Sequence, residues 1–212
     1  MADYRLYCFA QSGNSYKAAR ALELLGASWQ PRFVDFFNGE TRTAAYREGV
    51  NAMGEVPVLE HPGERLIQSG VILDYLVSVF QKYGWKNEAE RREVLRWILW
   101  DNHKFTSYIA TLRFMLAFQK TGETPVTEFL RARIKGNAGI LEKHLAAQPF
   151  AAGGEPTIAD FSLCGYLYYP EETGVSLPEL PAINAWLGRI KALPGWVHPY
   201  ELMPGHPLPA MK

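Results

Sequence analysis

The sequence predicts an α/β domain over residues 1–83 followed by an all-α domain over residues 88–212. Three observations predict it. Through residues 4–82, short runs rich in aromatic and β-branched residues alternate with helical periods. After Glu88 no strand signal recurs. From Glu88 to Gln119 the chain has neither Gly nor Pro, and Val94, Trp97, Ile98, Asp101, Phe105, Tyr108, Leu112 and Met115 fall near helical spacing. A continuous helix there would be on the order of 45 Å long.

The elements follow in order. Tyr4 to Phe9 alternates loosely and reads as a strand. Gln11 to Ser15 is a turn. Ser15 to Gly26 places Ala18, Ala21, Leu22 and Leu25 at a helical period that ends on a glycine. Trp29 to Phe36 is a second strand, opening with Pro31 near its edge. Thr43 to Val50 is a short helix. Pro57 to Glu60 and Arg65 to Ile67 form a hairpin. Ser69 caps a helix reaching Lys82, with Val71, Ile72, Tyr75, Leu76 and Val79 on one face. The first strand–helix–strand unit should be parallel and right-handed. Tyr83 to Asn87 is the linker. Pro125–Leu145 carries one buried stripe, Ile134, Ala138, Leu141 and Leu145. Thr157–Leu167 and Leu180–Leu193 are further helices, the last closed by Pro194-Gly195. The tail from His198 holds Pro199, Pro204, Pro207 and Pro209, so it should run extended and non-helical over the surface.

Composition narrows the function. Lys plus Arg equals Asp plus Glu at 22 each, which argues against a nucleic-acid or anionic-membrane surface working through bulk charge. There is no secretory leader pattern and no apolar run long enough to span a bilayer, so a cytoplasmic protein is expected. The two cysteines, Cys8 and Cys164, are far apart and form no CxxC pair, which leaves a dithiol redox mechanism without support. Cys8 reads as a buried strand residue rather than a nucleophile. No His/Cys/Asp/Glu cluster has metal spacing, and no Walker or dinucleotide glycine pattern occurs.

Two local motifs carry the most information. The first is Asn51-Ala52-Met53-Gly54-Glu55-Val56-Pro57-Val58-Leu59, followed by Gln68-Ser69 at the start of a helix. Pro57 removes one ladder donor where a strand begins, which leaves the Val56 backbone free to pair outside the sheet. The second is Glu155-Pro156-Thr157-Ile158-Ala159-Asp160-Phe161, a capping box with Thr157 as N-cap and Asp160 three residues on, Pro156 being placed to staple Phe161. In that order and spacing the two motifs resemble the glutathione transferase superfamily, whose N-terminal half is thioredoxin-like, and the likeness covers nearly the whole chain.

The resemblance implies a glutathione-dependent enzyme acting on a small hydrophobic electrophile, a peroxide or a mixed disulfide, with glutathione as co-substrate and no metal. It implies a cis Val56-Pro57 bond, pairing of Val56 with the cysteinyl part of glutathione, and Gln68 and Ser69 at the γ-glutamyl end. A thiol of pKa about 8.5 has to be held as thiolate at neutral pH, which a hydroxyl or amide donor at a helix N-terminus favours. The turn Ser12-Gly13-Asn14-Ser15 supplies such donors. By resemblance Ser12 ranks first, Asn14 second and Ser15 third. A tyrosine mechanism is not expected, because Cys8 stands at that position with Tyr7 before it. Glu55 departs from the family, where Lys or Gln before the Val-Pro helps the glycine carboxylate; Arg42 or Lys17 is then the expected cation. Phe105, Tyr108 and Leu112 are expected in the second-substrate wall, and Asp101 is placed to reach glutathione in a homodimer partner or to pair with Lys104 or Arg96. His103 reads as structural. The alternative is a module of the same fold that binds without turnover, since a fold alone proves no chemistry.

Overall fold

The structure is a computed structural model that describes residues 3–173 and 175–208. It falls into two compact units: one runs from the N-terminus to Lys82 and takes in the chain from Pro194 onward, and the other is Tyr83–Leu193.

The N-terminal unit is built on a four-stranded sheet in the order β2-β1-β3-β4. β1 (Tyr4–Cys8) pairs in parallel with β2 (Trp29–Phe33) and antiparallel with β3 (Val58–His61), which pairs antiparallel with β4 (Glu64–Ile67). Pro31 sits in β2 at the sheet edge, where its missing N–H costs no ladder bond. The helices are α1 (Gly13–Leu24), α2 (Ala44–Gly49) and α3 (Ser69–Phe80). α1 buries Ala18, Ala21 and Leu22 and packs beside α3.

α3 departs from the sequence reading in two ways. Its N-cap is Gln68, not Ser69, which is the first helical residue, and no side chain caps it. Its buried face is Ile72, Leu73, Leu76 and Val77, while Val71 and Val79 are exposed. Apolar residues cover every side of this helix but that of Gly70, Asp74 and Ser78, so periodicity alone does not pick the stripe that turns inward,.

The helical unit contains α4 (Glu88–Trp100), α5 (Thr106–Arg113), α6 (Pro125–Ala147), α7 (Ile158–Leu163), α8 (Pro170–Thr173) and α9 (Pro181–Lys191). The run expected as one regular helix from Glu88 is interrupted by two wide π turns, Asp101–Phe105 and Phe114–Phe118. The first has a visible cause. Asp101 is fully buried; its Oδ1 accepts from Thr106 Oγ1 at 2.8 Å and its Oδ2 from Ser162 Oγ at 2.6 Å. The added residue aims this carboxylate inward, and Asn102 Nδ2 caps the Ile98 carbonyl at 2.8 Å,. Asp101 is therefore a structural anchor to α7, and the expectation that it reaches a partner subunit, Lys104 or Arg96 is corrected. At the second π turn Arg113, 1% exposed, donates to Glu172 Oε2 at 2.7 Å and lies 3.8 Å from the Tyr169 ring centroid.

α6 buries Ile134, Ala138, Leu141 and Leu145 and packs on α9, which buries Ile183, Trp186, Leu187 and Ile190. The helix expected over Thr157–Leu167 stops at Leu163 and continues as turns. The capping box is present as read, with the Asp160 side chain bonded to the Thr157 N–H.

The tail is also corrected. It docks on the N-terminal unit and holds a short helix, α10 (Pro199–Leu202), packed against α1. Tyr16 Oη donates to the Val197 carbonyl at 2.7 Å, Ala10 N–H to the Pro204 carbonyl at 2.8 Å and Gln11 Nε2 to the Gly205 carbonyl at 2.8 Å. Pro209 lies outside the described residues. Gly205 has φ +94°, and a Cβ there would stand 2.5 Å from Phe33 Cε2. Gly205→Ala is therefore expected to cost about 1–3 kcal/mol, read as a lowered Tm; an unchanged Tm would show that the tail does not hold this geometry.

Candidate functional site

The strand register gathers the sequence candidates. Tyr7 is opposite Val58, and Val58 is opposite Ile67. The chain leaving β1, the chain entering β3 and the chain leaving β4 therefore meet at one end of the sheet, on three adjacent strands spaced about 4.8 Å apart. Those segments carry Ser12, Asn14 and Ser15; Glu55, Val56 and Pro57; and Gln68 and Ser69. The N-termini of α1 and α3 also open at this end, and neither helix has an acidic residue in its first turn. Two uncompensated positive helix ends favour an anion there.

In the first segment Ser12 is the N-cap of α1, and its Oγ accepts from Ser15 N–H at 3.1 Å. The hydroxyl keeps its own proton to donate, so capping and anion binding are compatible. Ser12 and Ser15 are buried. Asn14 is half-buried, and Asn14 Oδ1 and Ser15 Oγ find no hydrogen-bond partner among the described residues. Beside the turn the Phe9 ring stacks on Phe36 at 4.9 Å and meets Phe37 edge-on at 5.7 Å.

In the second segment the Val56-Pro57 bond is cis. Among the described residues the Val56 N–H and C=O have no protein partner. Two buried residues fix where that N–H points. Tyr46 Oη and Asn51 Nδ2 each donate to the Glu55 carbonyl at 3.0 Å, and Asn51 Oδ1 accepts from Met53 N–H at 3.0 Å. The Glu55 carbonyl and the Val56 N–H belong to one trans peptide plane, so pinning the first inward turns the second outward. Burial, with Glu40 nearby, pushes the Tyr46 phenol up, so it stays a donor. Gly54 completes the loop: at φ +69° its Cβ would be 2.8 Å from the Thr41 carbonyl oxygen, which leaves room only for glycine,. Tyr46 and Asn51 were not singled out from the sequence. The only local hint was the Asn51-to-Gly54 turn pattern.

In the third segment Gln68 adopts φ +69°, ψ +120°, a conformation that costs a side-chain-bearing residue about 1–3 kcal/mol,. Its Nε2 donates to Glu55 Oε2 at 3.0 Å. Ser69 follows, buried at the first position of α3.

The remaining candidates have other surroundings. Tyr7 donates its hydroxyl to Glu60 Oε2 at 3.4 Å. Lys17 is fully buried on α1, and Arg42 is exposed beside Gly39. His103 is exposed. In the helical unit Phe105 is buried against Trp100, Tyr108 is half-buried edge-on to Phe129, and Leu112 lines a cavity of about 360 Å³ with Ile134, Ala138 and Leu180. Among the described residues no group of three or more His, Cys, Asp or Glu could hold a metal, and no helix is long and apolar enough to cross a membrane.

Cys8 is fully buried, and desolvation pushes its thiol from 9.0 to about 12. With the folded-state pKa raised, protonated Cys8 stabilises the fold below about pH 9, and that contribution is lost as pH rises toward 12. Cys164 is buried as well. Neither thiol is expected to react with an aromatic disulfide reagent at pH 8 in the native protein, and two equivalents should react in denaturant. A fast native equivalent would contradict this placement.

An anion held at two helix ends beside an outward-facing backbone N–H and C=O suits an extended peptide that ends in, or carries, a negative group. Residues 2–78 match the family model "Glutathione S-transferase, N-terminal domain" and residues 105–194 match "Glutathione S-transferase, C-terminal domain". The crystal structure of a glutathione S-transferase from Pseudomonas fluorescens superposes with a TM-score of 0.86 at 32% identity, covering 92% of this chain and 98% of that one. Glutathione S-transferase F14 of Arabidopsis thaliana is 27% identical over all of this chain and 89% of its own length. Maleylacetoacetate isomerase of Pseudomonas aeruginosa is 29% identical over 85% of this chain and 87% of its own length.

Proposed function

The chain belongs to the glutathione S-transferase family, and from that premise we propose how it works: its N-terminal unit binds glutathione and activates the thiol for attack on a second, electrophilic substrate. Ser12, with Asn14, stabilises the thiolate at the N-terminus of α1. The Val56 backbone pairs with the cysteinyl residue, and Gln68 and Ser69 hold the γ-glutamyl end. The observation that carries this reading is the register of β1, β3 and β4, which brings all three segments to one end of the sheet, with the Val56 N–H turned outward by Tyr46 and Asn51.

The mechanism asks little of the protein. A charge-assisted hydrogen bond from Ser12 and the positive end of α1 lower the thiol pKa from about 8.5, so that thiolate predominates near neutral pH. The sulfur lone pair then attacks an electrophilic carbon, a peroxide oxygen or a disulfide sulfur, and the leaving group departs with the displaced electron pair. The apolar electrophile is proposed to meet the helical unit at Tyr108 and Leu112; Phe105, 1% exposed and stacked on Trp100, is core and is withdrawn from the expected wall. The active form is proposed to be a cytoplasmic homodimer.

A second reading, a glutathione-dependent isomerase, is supported by the likeness to maleylacetoacetate isomerase. Calorimetry with glutathione, followed by turnover with an aryl halide, a hydroperoxide, hydroxyethyl disulfide and maleylacetoacetate, tests both. Transfer to one of the first three supports the main reading, and isomerisation without transfer supports the second. Binding without any turnover would favour a non-catalytic module. Absence of glutathione binding would overturn the assigned roles of Val56, Gln68 and Ser69.

A further inference from the structure

Resting on the glutathione-site reading above, we propose that Glu55 is a specificity residue that recognises the cationic α-amine of the γ-glutamyl group. The sequence presents Glu55 as a residue of the wrong sign for the glycine carboxylate. The structure turns its side chain elsewhere: Glu55 Oε2 lies 3.0 Å from Gln68 Nε2, at the end of the site assigned to the γ-glutamyl head.

Three features give that corner a defined polarity. First, Gln68 cannot supply a negative charge, and its amide nitrogen is already directed at Glu55 and Met53 Sδ. What Gln68 can offer a ligand is its carbonyl oxygen, an acceptor. Glu55 adds the charge. Second, Glu55 is anchored through its backbone, since Tyr46 and Asn51 both hold its carbonyl, so the carboxylate is displayed from a fixed point. Gln68, at φ +69°, faces it through the Nε2 hydrogen bond. Third, α3 begins immediately after Gln68, and no side chain caps it. Its first-turn N–H groups suit a carboxylate. Acceptors on one side and helix N–H donors on the other match a zwitterion, the ammonium and carboxylate carried on one carbon of a γ-linked glutamate. An N-acylated or des-amino head would leave Glu55 facing a neutral group.

The test is a ligand–protein double-mutant cycle by calorimetry. Glutathione, N-acetylglutathione and glutathione glycyl ethyl ester are titrated into the wild type and Glu55→Gln. The amide keeps the shape and a hydrogen bond to Gln68, and thermal unfolding confirms that the variant is folded. In the wild type, N-acetylation is expected to weaken binding about 10- to 100-fold, the range of a hydrogen bond to a charged group. In Glu55→Gln, glutathione should bind about 10-fold more weakly, and the acetylation penalty should shrink to about threefold or less. The effect of the glycyl ester should be the same in both proteins. An acetylation penalty unchanged in Glu55→Gln, or tighter binding of glutathione to the variant, overturns the role of Glu55 while leaving the glutathione site intact. Failure of glutathione to bind the wild type overturns the site and this inference with it.

Discussion

Ser12→Gly is expected to lower kcat/KM about 10- to 100-fold while changing the glutathione Kd by no more than about threefold. The range is that of one hydrogen bond to a charged group, and it is asked of the thiolate state only. Glycine is the informative replacement. It serves as an N-cap within a few tenths of a kcal/mol of serine, whereas alanine would also lose about 1 kcal/mol of capping. Ser12 Oγ accepts from Ser15 N–H, so an alanine variant would confuse helix stability with chemistry. The contacts proposed at Val56, Gln68 and Ser69 are untouched, which is why affinity should hold. The drop should be largest at low pH and narrow as pH rises past the free thiol pKa of about 8.5, where thiolate forms without help. A variant with wild-type kcat/KM across that range would remove Ser12 from the mechanism. A larger loss in Asn14→Ala than in Ser12→Gly would transfer the role to Asn14.

Asp160→Ala is expected to lose about 3–5 kcal/mol of stability, roughly 10–15 °C in Tm. Asp160 is fully buried and accepts four bonds. Ala151 N–H and Trp186 Nε1–H reach its Oδ1 at 2.8 Å each; Thr157 N–H at 2.8 Å and Thr157 Oγ1–H at 3.1 Å reach its Oδ2. The one side chain thus ties the start of α7 to the turn before it and to the core of α9. Its removal strands several buried donors, at about 1–3 kcal/mol each. That is why the cost exceeds the roughly 1 kcal/mol of an isolated cap. Asp160→Asn is expected to keep most of the loss, because an NH₂ group would face N–H donors. Burial pushes the Asp160 carboxyl up while these donors hold it down, and burial prevails. A fall in Tm of only a few degrees in Asp160→Ala would contradict this account. Any surviving folded fraction should keep its glutathione affinity, since Asp160 belongs to the helical unit and no glutathione contact is assigned to it.

What the sequence could show was what chemistry writes locally. The turn at Ser12–Ser15, the Val56-Pro57 break at the head of a strand and the Thr157–Asp160 capping box each rest on residues within four positions of one another. What it could not show depends on contacts across sequence. The Glu55 carbonyl is pinned from Tyr46 and Asn51, and the Glu55 side chain turns toward Gln68 thirteen positions on. The π turn at Asp101 is invisible to a 3.6-residue period because the extra residue answers Ser162, on another helix. The buried residues of α3, Ile72, Leu73, Leu76 and Val77, are offset from the apolar face that spacing picks out, because the packing partner and not the helix decides which apolar side turns inward. The tail, which its prolines predict as an extended, non-helical surface segment, is held by carbonyls that meet Ala10 and Gln11.

The most direct test of the account is a pH titration of bound glutathione, followed by the ultraviolet absorbance of the thiolate, in the wild type and Ser12→Gly. The bound thiol is expected to titrate clearly below the free value of about 8.5 and to move back toward it in Ser12→Gly. A bound thiol that titrates at the free value in the wild type would contradict the claim that this end of the sheet exists to hold a thiolate.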